Sequence, residues 1–147
     1  DAPNKNLVMK DAPDKFLILP LGNVKASDEA LFATRDFLDK NQAAIRIFLE
    51  ELTKVNRAIN ADPSWVLGER KKLGLLKDLP AKLEGEILPF FKEAVQNGVF
   101  PNDGGGESAA KDDLEFYGLS GALKGDNLKV EDFWHLAPLK AALANLK

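Results

Sequence analysis

Along residues 30–60, ALFATRDFLDKNQAAIRIFLEELTKVNRAIN, the hydrophobic spacing changes partway. Ala30 to Thr34 is short and apolar, which predicts a strand. From Gln42 onward, Ile45, Phe48, Leu49, Leu52, Val55 and Ile59 recur at intervals of three and four. That spacing puts them on one helical face, and such a face must be buried. Asn41 stands ahead of the run, where its side chain can accept a hydrogen bond from an unpaired first-turn amide, and Asp62-Pro63 stops the helix at its far end. The pattern predicts a strand that hands the chain to a helix of roughly five turns at 3.6 residues each.

The same reading extends in both directions. Leu7-Val8-Met9 is a short apolar run between Asp1-Ala2-Pro3-Asn4-Lys5 and its near copy Asp11-Ala12-Pro13-Asp14-Lys15, which predicts a strand between two Pro-containing turns. Two copies do not make a repeat array, which needs three or more stacked units. Phe16-Leu17-Ile18-Leu19 predicts a strand buried on both faces, and Pro20-Leu21-Gly22-Asn23 breaks it. After the long helix, Pro63 to Gly74 opens with Pro and closes with Gly, the order of a helix start and stop.

Asp78-Leu79-Pro80 begins the next helix, with Leu83, Ile87, Phe90, Phe91, Ala94 and Val95 as its apolar stripe. Pro89 lacks the amide that would bond to Gly85, which predicts a kink or a fresh helix start there. Asn97-Gly98 and Pro101 end that helix. Gly104-Gly105-Gly106 reads as a linker, because the lysine and hydroxyl of a phosphate-binding loop do not follow it. Glu107 to Gly118 is helical, Val130 to Trp134 is a short turn, and Pro138 to Leu146 closes the chain as a helix. The expected fold class is therefore α/β but helix-rich, with two or three strands before residue 35 and five or six helices after it.

Composition narrows the function. A chain of 147 residues suits one unit with one core, able to bury about 70% of the surface its unfolded form exposes. Balanced apolar and charged content argues against disorder, and a net charge of −3 gives no electrostatic reason to bind a polyanion, so no nucleic acid partner is expected. With no cysteine there is no disulfide, thiolate zinc site or cysteine nucleophile. No basic start followed by an apolar core marks a signal peptide, although a processed export protein would look the same. No window reaches the ~20 apolar residues that span a bilayer.

Candidate chemistry is sparse. His135 is the sole histidine and, between Trp134 and Leu136, reads as a helix-end or core-edge residue. Asp112 and Glu115 share a helical face beside Asp113, but Lys111 next to them suits a solvated first turn. Trp65 and Trp134 could wall a cleft, yet large aromatics more often fill cores. Arg70, Lys71 and Lys72 could hold an anion, or simply complement the dipole at a helix C-terminus. Glu50 and Glu51 read as the solvated side of the long helix. No Ser-His-Asp order, HExxH or GxGxxG occurs, so nothing independent argues for catalysis, for a metal or for a cofactor.

One ordered set of motifs carries a resemblance. Thr34-Arg35-Asp36-Phe37-Leu38-Asp39-Lys40-Asn41 leads into the long helix; Ile87-Leu88-Pro89-Phe90-Phe91 and Asp113-Leu114-Glu115-Phe116-Tyr117 follow; Leu123 to Trp134, LKGDNLKVEDFW, completes it. Over roughly Phe16 to Leu146 the chain resembles the C-terminal segment of ABC-importer solute-binding proteins, in particular the nitrate/taurine/sulfonate type. That fold is shared with the enzyme that makes the pyrimidine precursor of thiamine. The resemblance implies a partial lobe of a type II periplasmic-binding-protein fold, with residues 1–23 as N-terminal strands and crossover and residues 24–147 as the helix-rich part of a lobe.

It further implies non-catalytic capture of a small solute outside the cytoplasm and delivery to a membrane permease. The partner would be the missing N-terminal half or a second copy, because a fragment of this type leaves apolar surface uncovered. The cleft-facing positions it implies are Gly22, Asn23, Ser27 and Asp28, where Asn and Ser supply donors and acceptors and Gly lets a ligand approach the backbone. The alternatives are an enzyme of the thiamine-pyrimidine-synthase type or a free-standing helical interaction module.

Overall fold

The computed structural model of the chain describes residues 2–18, 26, 27, 30–125 and 127–146, residues 2–4 by their backbone alone. Eight α-helices run through it: α1 (Ala2–Asp11), α2 (Arg35–Lys40), α3 (Gln42–Ala61), α4 (Trp65–Leu73), α5 (Ala81–Glu84), α6 (Ile87–Gln96), α7 (Gly106–Leu119) and α8 (Ala137–Asn145). Single 3₁₀ turns lie at Pro13–Lys15 and Val130–Asp132. Among the described residues there is no strand at all. The α/β lobe with two or three N-terminal strands, expected from the sequence, is therefore corrected to an all-helical architecture.

The reason lies in what a strand needs. A strand's amides and carbonyls must be paired by a neighbouring strand, whereas a helix satisfies its own. Leu7-Val8-Met9 has no partner strand and folds into α1. Phe16–Ile18 and Leu31–Thr34 stay non-helical but pair with nothing as strands. Phe16 keeps extended backbone angles, φ −131° and ψ 142°. Their side chains lie open: Leu17 is 83% exposed and Phe32 97%.

From Gln42 onward the helices keep close to their predicted bounds, except that the stretch begun by Asp78 divides into α5 and α6. α3 begins at Gln42 and ends at Ala61, one residue before Asp62-Pro63. Asn41, however, acts on the helix before it: its side-chain amide donates to the Phe37 carbonyl at 2.8 Å. That helix, α2, was not anticipated as separate; Thr34 caps it by accepting from the Phe37 amide at 3.2 Å. Pro89 produces a fresh start: α5 stops at Glu84 and α6 begins at Ile87, so Pro89 falls in a first turn where its missing amide costs nothing. α4 ends with Gly74 at φ +63°, its amide bonded to the Lys71 carbonyl and the Leu75 amide to the Arg70 carbonyl, a Schellman closure. α6 ends the same way at Gly98, through Gly98 to Val95 and Val99 to Ala94.

The chain divides into two compact units, residues 1–20 with 55–101 and residues 21–54 with 102–147. In the first, α1 and α4 both pack on α6, and Lys5 pairs with Glu93. Phe91 stacks on Phe100 with ring centres 5.7 Å apart, while Ile59, Ile87 and Ala94 are buried. In the second, α7 packs on the 3₁₀ turn at Val130–Asp132, and Thr53, Ala110, Asp113 and Ala142 are buried. Glu50, predicted to face solvent, accepts instead from Arg46 and from Asn145 of α8, each at 2.7 Å. Residues 42–54 of α3 belong to the second unit and residues 55–61 to the first.

Ala142 has no solvent exposure. Ala142→Leu is expected to overpack its site and lower stability by about 1–3 kcal/mol, read as a shift in the urea midpoint at unchanged slope.

Candidate ligand-binding site

Of the four positions that the receptor resemblance points to, Gly22, Asn23 and Asp28 lie outside the described residues. Ser27 is half-buried, and its backbone amide donates to Asp113 Oδ1 at 2.6 Å. Asp113 is buried within α7, three residues after buried Ala110 and so on the same face. A carboxylate in that position is costly unless it is hydrogen-bonded. Ser27 therefore holds the loop to α7 through its main chain. Asp112 and Glu115 do not join this arrangement; Asp112 is half-buried and Glu115 exposed. Among the described residues no three His, Asp or Glu side chains converge as a metal site. His135 is exposed, and Trp65 and Trp134 are half-buried, with Trp134 edge-on to Phe133.

A hollow of about 520 Å³ opens within the first unit, lined by Leu7, Val8 and Phe16 together with Lys10, Lys82, Asp11 and Ala12. Its walls mix apolar side chains with two ammonium groups and the Asp11 carboxylate, so its lining carries both signs of charge. No sequence motif announced it. Lys10 closes α1 and Lys82 sits in the short α5, so their meeting depends on the tertiary fold. A second, smaller hollow of about 280 Å³ is bounded by Arg70, Lys71, Gly74, Leu75 and Lys77. Here Arg70 is committed to protein partners: it donates to both Glu84 oxygens, at 2.6 and 2.5 Å, and to the Leu76 carbonyl at 3.0 Å.

Two asparagines near the end of α3, one turn apart, fasten the segment that follows α6. Asn56 donates to the Pro101 carbonyl at 3.3 Å and Asn60 to the Phe100 carbonyl at 2.5 Å. Their work is structural, since each satisfies a main-chain acceptor outside regular structure. No family model matches the chain, and neither a curated protein nor a solved structure matches it. The resemblance to importer receptors thus rests on the motifs themselves.

Electrostatics in the first unit follow from hydrogen bonds. Donation by Arg70, reinforced by its charge, holds the Glu84 carboxyl below the usual range. The Ser64 hydroxyl and amide do the same for Asp62.

Two tests follow from this geometry. Asp113→Ala leaves the Ser27 amide without its acceptor and should cost about 1–3 kcal/mol in urea unfolding, while Asp113→Asn, which keeps an oxygen there, should cost less. Because the folded-state pKa of Glu84 is lowered, its contribution to stability is present above its unfolded-state titration and disappears as pH falls through the folded-state one. Glu84→Gln should flatten the acid side of a stability-against-pH curve without changing the curve at neutral pH in shape.

Proposed function

We propose that this chain is a segment of a non-catalytic solute-capture protein serving an ABC importer, working outside the cytoplasm and presenting a small solute to a membrane permease. The observation that carries the reading is the uncovered apolar surface of Phe16–Ile18 and Leu31–Phe32. A free-standing domain would bury such side chains, each worth about 1.5–3 kcal/mol when removed from water. The ordered motifs from Thr34 to Trp134 support the same reading. The complementary surface would come from the remainder of such a receptor or from a second copy.

A second reading, a helical module that binds other proteins, is favoured by α3. Phe48 and Leu52 lie one turn apart on it and, against the expectation that this face is buried, both are exposed.

Sedimentation velocity together with calorimetric titration tests the proposal. The purified chain should self-associate, and Leu17→Lys combined with Phe32→Lys should leave it monomeric. Titration with nitrate, taurine and benzoate should give saturable binding of at least one, lost on Asn23→Ala with Asp28→Ala. A monomer that binds none of the three overturns the proposal. Self-association without any ligand heat overturns capture, whereas a compact monomer is what the second reading expects.

A further inference from the structure

The stretch from Glu69 to Asp78, ERKKLGLLKD, places three large apolar side chains in water within one turn. Leu73 is 61% exposed, Leu75 53% and Leu76 57%. The backbone is arranged to display them. Gly74 closes α4 in the left-handed region, and Leu76 itself holds φ +55°, which a leucine rarely adopts. The Leu76 carbonyl is fixed there by Arg70. A turn whose only task was to connect helices would carry Gly or Asn at such a position. A Cβ on Gly74 would lie 2.7 Å from the Lys77 side chain, so the turn and that lysine are closely fitted.

Cations surround the leucines. Arg70 is paired with Glu84, whose carboxyl also feels the charge of Lys71, and Lys72 is paired with Glu69, while among the described residues Lys77 forms no salt bridge. Asp78 is the one further carboxylate in the stretch, and it is exposed. Lys71 and Lys77 both border the hollow of about 280 Å³, with Arg70, Gly74 and Leu75 as its other walls. The hollow lies at the C-terminal end of α4, where the helix dipole opposes a free anion. An anion held there needs a second source of binding, and the adjacent leucines supply it if the anion is attached to hydrocarbon. Exposed leucines flanked by lysines are what a peripheral contact with an anionic bilayer requires. The whole chain carries a net charge of −3, so any preference for anionic lipid must come from a local patch such as this.

We infer that the α4–α5 turn is a membrane-contact surface: Leu73, Leu75 and Leu76 enter the interfacial layer of an anionic phospholipid membrane while Lys71 and Lys77 hold a lipid phosphate at the hollow. The inference stands whichever reading of the function holds.

Flotation of the purified chain with vesicles of phosphatidylglycerol and phosphatidylcholine in equal parts tests it, beside vesicles of phosphatidylcholine alone. Binding should appear with the anionic vesicles and fall at least tenfold with phosphatidylcholine alone. It should fall by a similar factor in Leu75→Ser with Leu76→Asn, and in Lys71→Glu with Lys77→Glu. Asn tolerates the left-handed backbone better than Leu, so the Leu76→Asn change keeps the turn, and urea unfolding of that variant checks it. Leu119→Ser, which removes an exposed apolar group elsewhere, should bind as the parent does. Equal binding to both vesicle types, or undiminished binding by either turn variant, overturns the inference. So does loss of binding in the Leu119→Ser control. Binding of glycerol phosphate or polyglutamate that the leucine changes leave intact, with no vesicle binding, overturns it in favour of a soluble anion or an acidic protein.

Discussion

Among the described residues little apolar volume is buried, and the rest of the structure depends on that shortage. The buried apolar side chains there are Ile59, Ile87, Ala94, Ala110 and Ala142, and three of the five are alanines. Alanine removes little surface from water, so each such contact contributes far less than a buried leucine or phenylalanine would. The large apolar side chains stand instead at half-buried or exposed positions. Stability in each unit must therefore draw on helix-internal hydrogen bonds, closely fitted caps and a few polar fastenings.

Those fastenings are placed where the chain leaves regular structure. Asn56 and Asn60 satisfy the Phe100 and Pro101 carbonyls, Asp113 receives the Ser27 amide, and Glu50 gathers Arg46 and Asn145. Each secures a loop or a chain end to a helix through groups that would otherwise compete for water. Exposed ion pairs such as Lys40–Asp36 add little, because solvent screens them. Apolar groups remain exposed at Phe16–Ile18, Leu31–Phe32, α3 and the α4–α5 turn. These differ in character. The first two lie on non-helical backbone, α3 is helical, and the turn places leucines beside lysines.

The helical half of the fold was legible because its signals are local. The three-and-four spacing from Ile45 to Ile59, Pro63 with Gly74, Pro89, and Asn97 with Gly98 each act within a few residues, and the structure carries helix limits at or near all of them. Asn41 shows where local reading fails: its side chain could serve the helix on either side, and only the geometry at Phe37 decided. Glu50 was misread for a related reason, because its partner Asn145 lies far along the chain. The larger hollow was illegible altogether. Lys10, Phe16 and Lys82 share no spacing rule.

What the sequence alone determined is most of the helix limits from Gln42 onward, the absence of cysteine chemistry, and which side chains are large and apolar; these depend on residue identity and near neighbours. Tertiary structure decided whether the short apolar runs became strands. Leu7-Val8-Met9 was absorbed into α1, and Phe16–Ile18 and Leu31–Thr34 remained unpaired, because a strand exists only where a second strand completes its hydrogen bonds, and among the described residues none does.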